Sequence, residues 1–178
     1  ADFTTGSRAL FADPTCAILG LNVAAWDAAK HGALSLVADA REGLQALDGA
    51  LGAWRAPAGW ADRLVGEKRA WEATVEALTR DQGRSRPTDA EVLGAVNRQA
   101  TPGDVIVCAA GGLPGELHKL WRVPGVGGYH LEYGYSCMGY EIAGGIGVKL
   151  AQPEREVFVL VGDGSYLMLN SELATAAA

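Results

Sequence analysis

Cysteine is scarce in this sequence. Its 178 residues contain three cysteines, Cys16, Cys108 and Cys137. Three scattered cysteines exclude the disulfide framework of a small secreted domain, and no pair has the spacing of metal ligands. The sequence therefore favours a reducing cytoplasm as the location of the protein.

Long runs of positive charge and of apolar residues are also missing. Lys and Arg number 15 against 21 Asp and Glu, which gives a net charge of −6 without any basic cluster. This balance argues against nucleic acid and anionic membrane surfaces as partners. No stretch has the length of a membrane span, and the first residues lack a basic region followed by an apolar one. We expect no export, no membrane insertion and a small-molecule ligand.

Apolar side chains are plentiful enough for a folded core, because 49% of the residues are hydrophobic and 20% are charged. The chain opens without Met and stops in Ala-Thr-Ala-Ala-Ala, soon after a strand and a glycine-rich turn that should lead into more sheet. We therefore expect a fragment of a longer protein.

Residues 1–53 have the pattern of a parallel α/β fold and are assigned to the C-terminal part of a central α/β domain. A helix with Asp39 as its N-cap is expected to present one apolar face, formed by Leu44, Leu47 and Leu51. The other expected elements are a strand over 17–23, a helix over 24–31 and a strand over 34–37.

Residues 54–87 are expected to form a helical connector. Pro57, Gly59 and the polar stretch 80–87 bracket a segment whose apolar residues recur at near-heptad spacing. These residues are Trp60, Leu64, Trp71, Val75 and Leu78. We expect the connector to pack along a domain surface, with Trp54, Trp60 and Trp71 contributing to that packing.

A second α/β domain is expected over 88–178, beginning at a capping box of Thr88 and Glu91. The helix that follows should bury three apolar residues, Val92, Leu93 and Val96. Further βα repetition is expected as strands over 104–109 and 156–161, a loop turning into a helix over 111–121 and a second helix over 136–151. The predicted fold class is a parallel-sheet α/β protein.

The strand over 156–161 ends in Gly162-Asp163-Gly164-Ser165. Ligands of open parallel sheets bind beyond the carboxyl ends of the strands. The two glycines allow close approach of the backbone, so that successive amides can bind phosphate oxygens, and Asp163 supplies an oxygen ligand for magnesium. An isolated Gly-Asp-Gly is more often a type I′ or type II turn, so the motif alone is a weak signal.

A glycine-rich segment precedes this strand. Residues 135–147, Tyr-Ser-Cys-Met-Gly-Tyr-Glu-Ile-Ala-Gly-Gly-Ile-Gly, are expected to be helical, although each glycine in a helix interior costs about 1 kcal/mol relative to alanine. That cost indicates tight packing against a sheet or a cofactor. Together with the Val-Gly-Asp-Gly-Ser strand end, the segment resembles the diphosphate-binding domain of the acetolactate-synthase-like thiamine diphosphate enzymes. The resemblance implies that 88–178 is the truncated N-terminal half of a thiamine-diphosphate-binding domain.

The resemblance implies a site for thiamine diphosphate and Mg²⁺. Asp163 corresponds to the first metal ligand, and Met138 to the bulky apolar residue that holds the cofactor bent. Backbone groups beside Met138 would meet the aminopyrimidine, and those after Asp163 would meet the diphosphate. The implied cofactor-binding set is Ser136, Met138, Gly139, Gly162, Gly164 and Ser165.

Two segments, 109–122 and 129–141, are similar within that family to the trihydroxycyclohexane-dione hydrolases of myo-inositol breakdown. This similarity implies hydrolytic opening of a cyclic 1,2-diketone to 5-deoxy-glucuronate, with the cofactor as electron sink, in a homo-oligomer. In the family, the glutamate that activates the cofactor belongs to another domain of a neighbouring subunit. We therefore expect this chain alone to be inactive.

His118 is the candidate catalytic residue. A histidine on a loop at the carboxyl edge of the sheet can donate to a diphosphate oxygen or a substrate hydroxyl and can move protons near neutral pH. For His130 a functional and a structural role are equally open. Glu132 and Glu141 lie near the proposed site, but such acids are mostly solvated, and Glu141 is free to face out of its helix. Cys137 is expected to be a small buried packing residue and not a nucleophile, because nothing nearby obviously lowers its pKa.

Two alternative functions stay open. The first is an acetolactate synthase or a related carboligase of the same family. The second is a non-catalytic α/β module that binds a nucleotide or phosphate through 162–165 and shows no preference for the thiamine ring. A dinucleotide-binding fold is disfavoured, because Gly-x-Gly-x-x-Gly spacing does not occur between a first strand and its helix.

Overall fold

The computed structural model of the protein describes Gly6 and residues 9–178, and the chain divides into two compact units between residues 61 and 62. Each unit contains a parallel sheet with helices in the connections between its strands. The predicted fold class is therefore confirmed. None of the helices in the described residues combines the length and the apolarity that a membrane crossing requires.

The sheet of the first unit has two parallel strands, with Leu19 opposite Leu34. Its elements in chain order are a 3-10 turn (Ala9–Phe11), β1 (Leu19–Asn22), α1 (Ala25–Ala28), a 3-10 turn (Lys30–Gly32), β2 (Leu34–Val37) and α2 (Ala40–Leu51). The predicted cap is present, because Asp39 accepts hydrogen bonds from the amides of Arg41 at 2.9 Å and Glu42 at 3.3 Å. The predicted helix over 24–31 is wrong beyond Ala28, since His31 has a φ of 63° and interrupts the helical conformation.

The apolar face predicted for α2 is only partly buried. Leu47 is half-buried, but Leu44 is 57% exposed and Leu51 is 44% exposed. The helix instead meets the sheet through Gly43, which is buried and at which a Cβ atom would crowd the side chain of Leu21. Glycine at this position lets the backbone of α2 approach β1 closely.

The predicted connector helix exists as α3 (Trp60–Thr79). Its buried residues are Val75 and Thr79, in the last turns. Contrary to the prediction, the other apolar residues are not packed away, and 47–60% of the surface of each of the three tryptophans Trp54, Trp60 and Trp71 is exposed. Residues 62–87 fall within the second unit; the domain boundaries at 53 and 87 stay a prediction.

The sheet of the second unit has the strand order β4-β3-β5, with all neighbours parallel. The elements that build it are α4 (Asp89–Gln99), β3 (Val105–Cys108), α5 (Gly112–Leu120), β4 (Tyr129–Leu131), α6 (Tyr140–Ala151), β5 (Val157–Val159), α7 (Asp163–Leu169) and α8 (Glu172–Ala177). Every residue of the central strand β3 is buried. The core around it contains Val75, Leu93, Ile106, Cys108, Leu117 and Leu120.

Helix α4 begins at the predicted capping box, in which Thr88 and Glu91 each accept a backbone amide of the other. Leu93 is buried as predicted, but Val92 is 39% exposed. The buried neighbour of Leu93 is Gly94 instead, where a Cβ atom would overlap the carbonyl oxygen of Thr79. Close contact between α3 and α4 at this glycine turns Val92 outward.

Three other expectations require correction. Strand β4 was not predicted, because Tyr129–Leu131 is short and has no clear alternation. The helix expected over 136–151 begins only at Tyr140, since Ser136 and Gly139 have φ values of 57° and 94°. The Gly-Asp-Gly segment leads into helices α7 and α8 and not directly into another strand.

Candidate functional site

The three parallel strands of the second unit end at one edge of the sheet, at Cys108, Leu131 and Val159. The segments that follow them carry all the predicted site residues. This edge is where an open parallel sheet forms its ligand crevice.

The Gly-Asp-Gly segment forms the start of a helix at this edge. Gly162 is the N-cap of α7 in an extended conformation, with φ −77°, and Asp163 is the first helical residue. Neither Gly162 nor Gly164 has a positive φ, so the type I′ or type II turn considered as an alternative is wrong. A Cβ atom at either glycine would meet nothing within 4 Å. The space above both glycines is therefore open to a ligand.

Asp163 exposes its carboxylate at this edge, and its Oδ1 accepts the Gly164 amide at 2.8 Å. Among the described residues, no three His, Cys, Asp or Glu side chains are grouped so as to hold a metal ion by themselves. A single exposed carboxylate suits Mg²⁺, which prefers one or two protein oxygens together with phosphate oxygens and water. The open cradle at the glycines and this oxygen ligand fit a magnesium diphosphate group.

The loop that carries Met138 lies between β4 and α6. Met138 is 50% exposed, and Gly139 adopts φ 94° and serves as the N-cap of α6. A Cβ atom at Gly139 would lie 3.0 Å from the Cβ of Leu169 in α7. Glycine is therefore required here both by the backbone conformation and by the contact with α7.

Glu132 holds this loop in shape. Its two carboxylate oxygens accept the backbone amides of Tyr135 at 2.7 Å and Cys137 at 2.6 Å. These two hydrogen bonds hold the pKa of Glu132 below its ordinary value. The acid expected to be merely solvated is thus a fixed part of the loop that contains Ser136.

Cys137 is exposed, contrary to the prediction of a buried packing residue. Its backbone is held by Glu132, which leaves the side chain outside the packed interior. Partial desolvation and the negative charge of Glu132 raise the pKa of the Cys137 thiol. Both effects disfavour the thiolate, in agreement with the prediction that Cys137 is not a nucleophile.

Glu141 is the largest departure from the expectations. The sequence left it free to face out of its helix, but it is 0% exposed. Its Oε2 accepts the hydroxyl of Ser165 at 2.8 Å and the amide of Gly139 at 3.0 Å. The Gly139 amide is shared with the Ser165 Oγ, at 2.7 Å. These contacts join the two separately predicted parts of the cofactor site.

The signal for Glu141 was present in the sequence. Glu141 stands between Tyr140 and Ile142 in an otherwise apolar, glycine-rich stretch. The neighbours of this carboxylate in the sequence are mostly apolar or glycine, so the helix face that carries it can pack against the protein. The sequence could not reveal its partner, since Ser165 lies 24 residues away.

The two candidate histidines take different positions. His118 lies in the last turn of α5 and is exposed, whereas a loop position was predicted. The helix already begins at Gly112, directly after the strongly positive φ of Gly111, and this places His118 within it. Its ring centroid lies 5.8 Å from that of Tyr133, which follows β4. His130 lies in β4, in register with Val107, and is half-buried.

Comparison with known proteins gives two results. Residues 109–178 match the family model described as thiamine pyrophosphate enzyme, C-terminal TPP binding domain. This region is therefore similar to the cofactor-binding domain of the thiamine pyrophosphate enzymes. The predicted resemblance is thus confirmed, and the matched region contains every residue of the candidate site.

Three similar curated proteins carry the name 3D-(3,5/4)-trihydroxycyclohexane-1,2-dione hydrolase. The relative from Geobacillus thermodenitrificans is 41% identical over 98% of this chain and 30% of its own length. Those from Clostridium perfringens strain 13 and Bacillus anthracis are each 37% identical, over 99% and 98% of this chain and 31% of their own lengths. The chain therefore spans about 30% of the length of the relatives it matches.

Proposed function

We propose that this chain is part of a cytoplasmic enzyme of inositol catabolism that hydrolyses trihydroxycyclohexane-1,2-dione to 5-deoxy-glucuronate with thiamine diphosphate and Mg²⁺. The observation that carries the proposal is the meeting of the Met138–Gly139 loop with the first turn of α7 at the carboxyl edge of the sheet. The common name of its relatives supports the choice of substrate.

Cofactor binding is divided between two segments. The Asp163 carboxylate would hold Mg²⁺ together with the diphosphate, and the backbone of Gly164 and Ser165 would meet the diphosphate, although the Gly164 amide donates to Asp163 Oδ1 in this structure. The Ser165 hydroxyl is already bonded to Glu141, so Ser165 contributes through its amide. The exposed Met138 would pack against the cofactor, and the backbone of Ser136 would lie beside it.

The bound cofactor supplies an electron sink for cleavage of the bond between the two carbonyl carbons. The chain itself binds, orients and protects the reacting groups. His118 donates a hydrogen bond to a diphosphate oxygen or to a substrate hydroxyl, and its contact with Tyr133 holds the imidazole beside the loop that follows β4. The glutamate that activates the cofactor would come from another domain of a neighbouring subunit in a homo-oligomer, and we expect no turnover from these 178 residues by themselves.

The test is a product assay on the full-length enzyme that contains this sequence. With thiamine diphosphate and Mg²⁺ present, we expect loss of the cyclic dione and appearance of a ring-opened carboxylate by NMR, and no acetolactate from pyruvate. Acetolactate formation would contradict the proposal in favour of a carboligase. Equal binding of inorganic diphosphate and thiamine diphosphate, without turnover, would favour a phosphate-binding module.

A further inference from the structure

Glu141 is a buried acid for which the proposed function has no role. Its side chain is fully enclosed, and its Oε1 has no hydrogen-bond partner among the described residues. Burial of a carboxylate is costly unless its oxygens are paired. The hydrogen bonds that Glu141 accepts in the structure all go to Oε2, so this oxygen connects Glu141 to its neighbours.

Oε2 of Glu141, the hydroxyl of Ser165 and the amide of Gly139 form a triangle of hydrogen bonds. The Ser165 hydroxyl donates to it at 2.8 Å, and the Gly139 amide donates both to it at 3.0 Å and to the Ser165 Oγ at 2.7 Å. Ser165 is 4% exposed, and Gly139 is also buried. Water therefore cannot readily replace any member of the triangle.

The triangle connects segments that are far apart in sequence. Gly139 directly follows Met138, whereas Ser165 lies in the first turn of α7 with Asp163 and Gly164. Glu141 belongs to α6 and is rigidly placed by that helix, in which Gly145 packs so closely on β5 that a Cβ atom would overlap Val159. A carboxylate oxygen is suited to this position because it accepts two donors at once.

We propose that Glu141 is a positioning residue that sets the distance between the Met138 loop and the diphosphate-binding turn of α7. The inference rests on the proposed function for the identity of the ligand. Without Oε2, the buried Ser165 hydroxyl loses its acceptor, and the Gly139 amide keeps only a serine that is free to rotate. The two halves of the site then no longer present their groups to one cofactor molecule at a fixed separation.

The experiment uses the full-length enzyme and four variants. Glu141→Ala removes the acceptor, Glu141→Gln keeps one acceptor oxygen, and Ser165→Ala removes the hydroxyl while it leaves the backbone amide in place. Glu91→Ala is the matched control, because Glu91 is also a buried carboxylate in the first turn of a helix and accepts from a hydroxyl and an N-cap amide. Cofactor affinity is measured by calorimetric titration of thiamine diphosphate at saturating Mg²⁺. The substrate KM is measured at saturating cofactor.

We expect Glu141→Ala to weaken cofactor binding about ten-fold, comparable to the loss of an outer-shell partner at a metal site. Glu141→Gln should restore most of the affinity, Ser165→Ala should weaken it in the same direction, and Glu91→Ala should leave it unchanged. The substrate KM should stay unchanged in Glu141→Gln. A purely structural role would lower the melting temperature of Glu141→Ala without a change in affinity for the cofactor.

Equal cofactor affinity in the parent, Glu141→Ala and Ser165→Ala would overturn the inference while leaving the proposed function intact. A parent enzyme that does not bind thiamine diphosphate would overturn both. If Glu141→Ala does not fold, Glu141→Gln and Ser165→Ala decide: a loss with Ser165→Ala and retention with Glu141→Gln support the positioning role, and any other pattern contradicts it.

Discussion

Gly139 combines two constraints that no other amino acid satisfies. Its φ of 94° lies in the region that favours glycine, and the space where a Cβ atom would stand is limited by Leu169 at 3.0 Å. The residue connects the Met138 loop to α6 and donates its amide to Ser165. The site therefore depends on Gly139 in a left-handed conformation. The prediction of a continuous helix over 135–147 gave this residue a helical conformation and was wrong there.

Gly139→Ala should lower the free energy of unfolding by about 1–3 kcal/mol, because it forces a side chain into a strained and crowded position. The matched control is Gly147→Ala in α6, where a Cβ atom would meet nothing within 4 Å. That exposed helical site should gain up to about 1 kcal/mol from the higher helix propensity of alanine. Urea unfolding of both variants measures the two effects. Equal destabilisation would contradict the account of Gly139.

The lowered pKa of Glu132 predicts that the stability of the fold depends on pH. Its pKa is lowered in the folded state by the amides of Tyr135 and Cys137, so it stabilises the fold above its ordinary value of 4.5. This contribution is lost as the pH falls from that value through the lower pKa of the folded state. The difference in unfolding free energy between the parent and Glu132→Gln should therefore be largest near neutral pH and should shrink in acid. The exposed Glu154→Gln serves as control, and a difference that does not vary with pH would contradict the argument.

At the scale of elements, the sequence predicted what is locally encoded. The cap at Asp39, the capping box at Thr88 and the strand β2 depend on neighbouring residues and were placed correctly. Strand β4 and the buried position of Glu141 depend on contacts that are distant in sequence, with β3 and with Ser165 respectively, and they were missed. The exposure of Val92 was missed for the same reason. Gly94 of α4 faces Thr79 of α3, and the apolar periodicity of α4 does not reveal this contact.

The capping box offers a test at this scale. Thr88→Ala should destabilise the protein by about 1 kcal/mol, because it removes the acceptor for the Glu91 amide. Thr88→Ser keeps the hydroxyl and should stay near the parent. Thermal unfolding followed by circular dichroism measures both. Equal stability of the Ala and Ser variants would show that α4 does not need this cap.

At the scale of the whole molecule, many large apolar side chains lie at the surface. Trp26 is 81% exposed, Leu150 is 78% exposed and Leu167 is 68% exposed. Large apolar side chains that are exposed in this way promote association when they lie together. The sequence predicted the apolar periodicity of α3 but not its exposure, since periodicity alone does not say what covers a face.

We expect the 178-residue polypeptide to self-associate as its concentration rises. Replacing the exposed Trp54 and Trp71 by Gln should reduce this association, because both substitutions remove apolar surface. Light scattering coupled to size-exclusion chromatography measures the mass, with Glu67→Gln, on the same helix as Trp71, as the control. A monomer over the whole concentration range would contradict the expectation.

Calorimetric titration of thiamine diphosphate into the full-length enzyme, with and without Mg²⁺, tests the assignment of Asp163 as a metal ligand. We expect metal-dependent binding that Asp163→Ala abolishes. Asp89→Ala should leave this binding intact, because Asp89 is also the first residue of a helix but lies outside the site. Metal-dependent binding that persists unchanged in Asp163→Ala would contradict the assignment and would reduce Gly-Asp-Gly to a structural helix start.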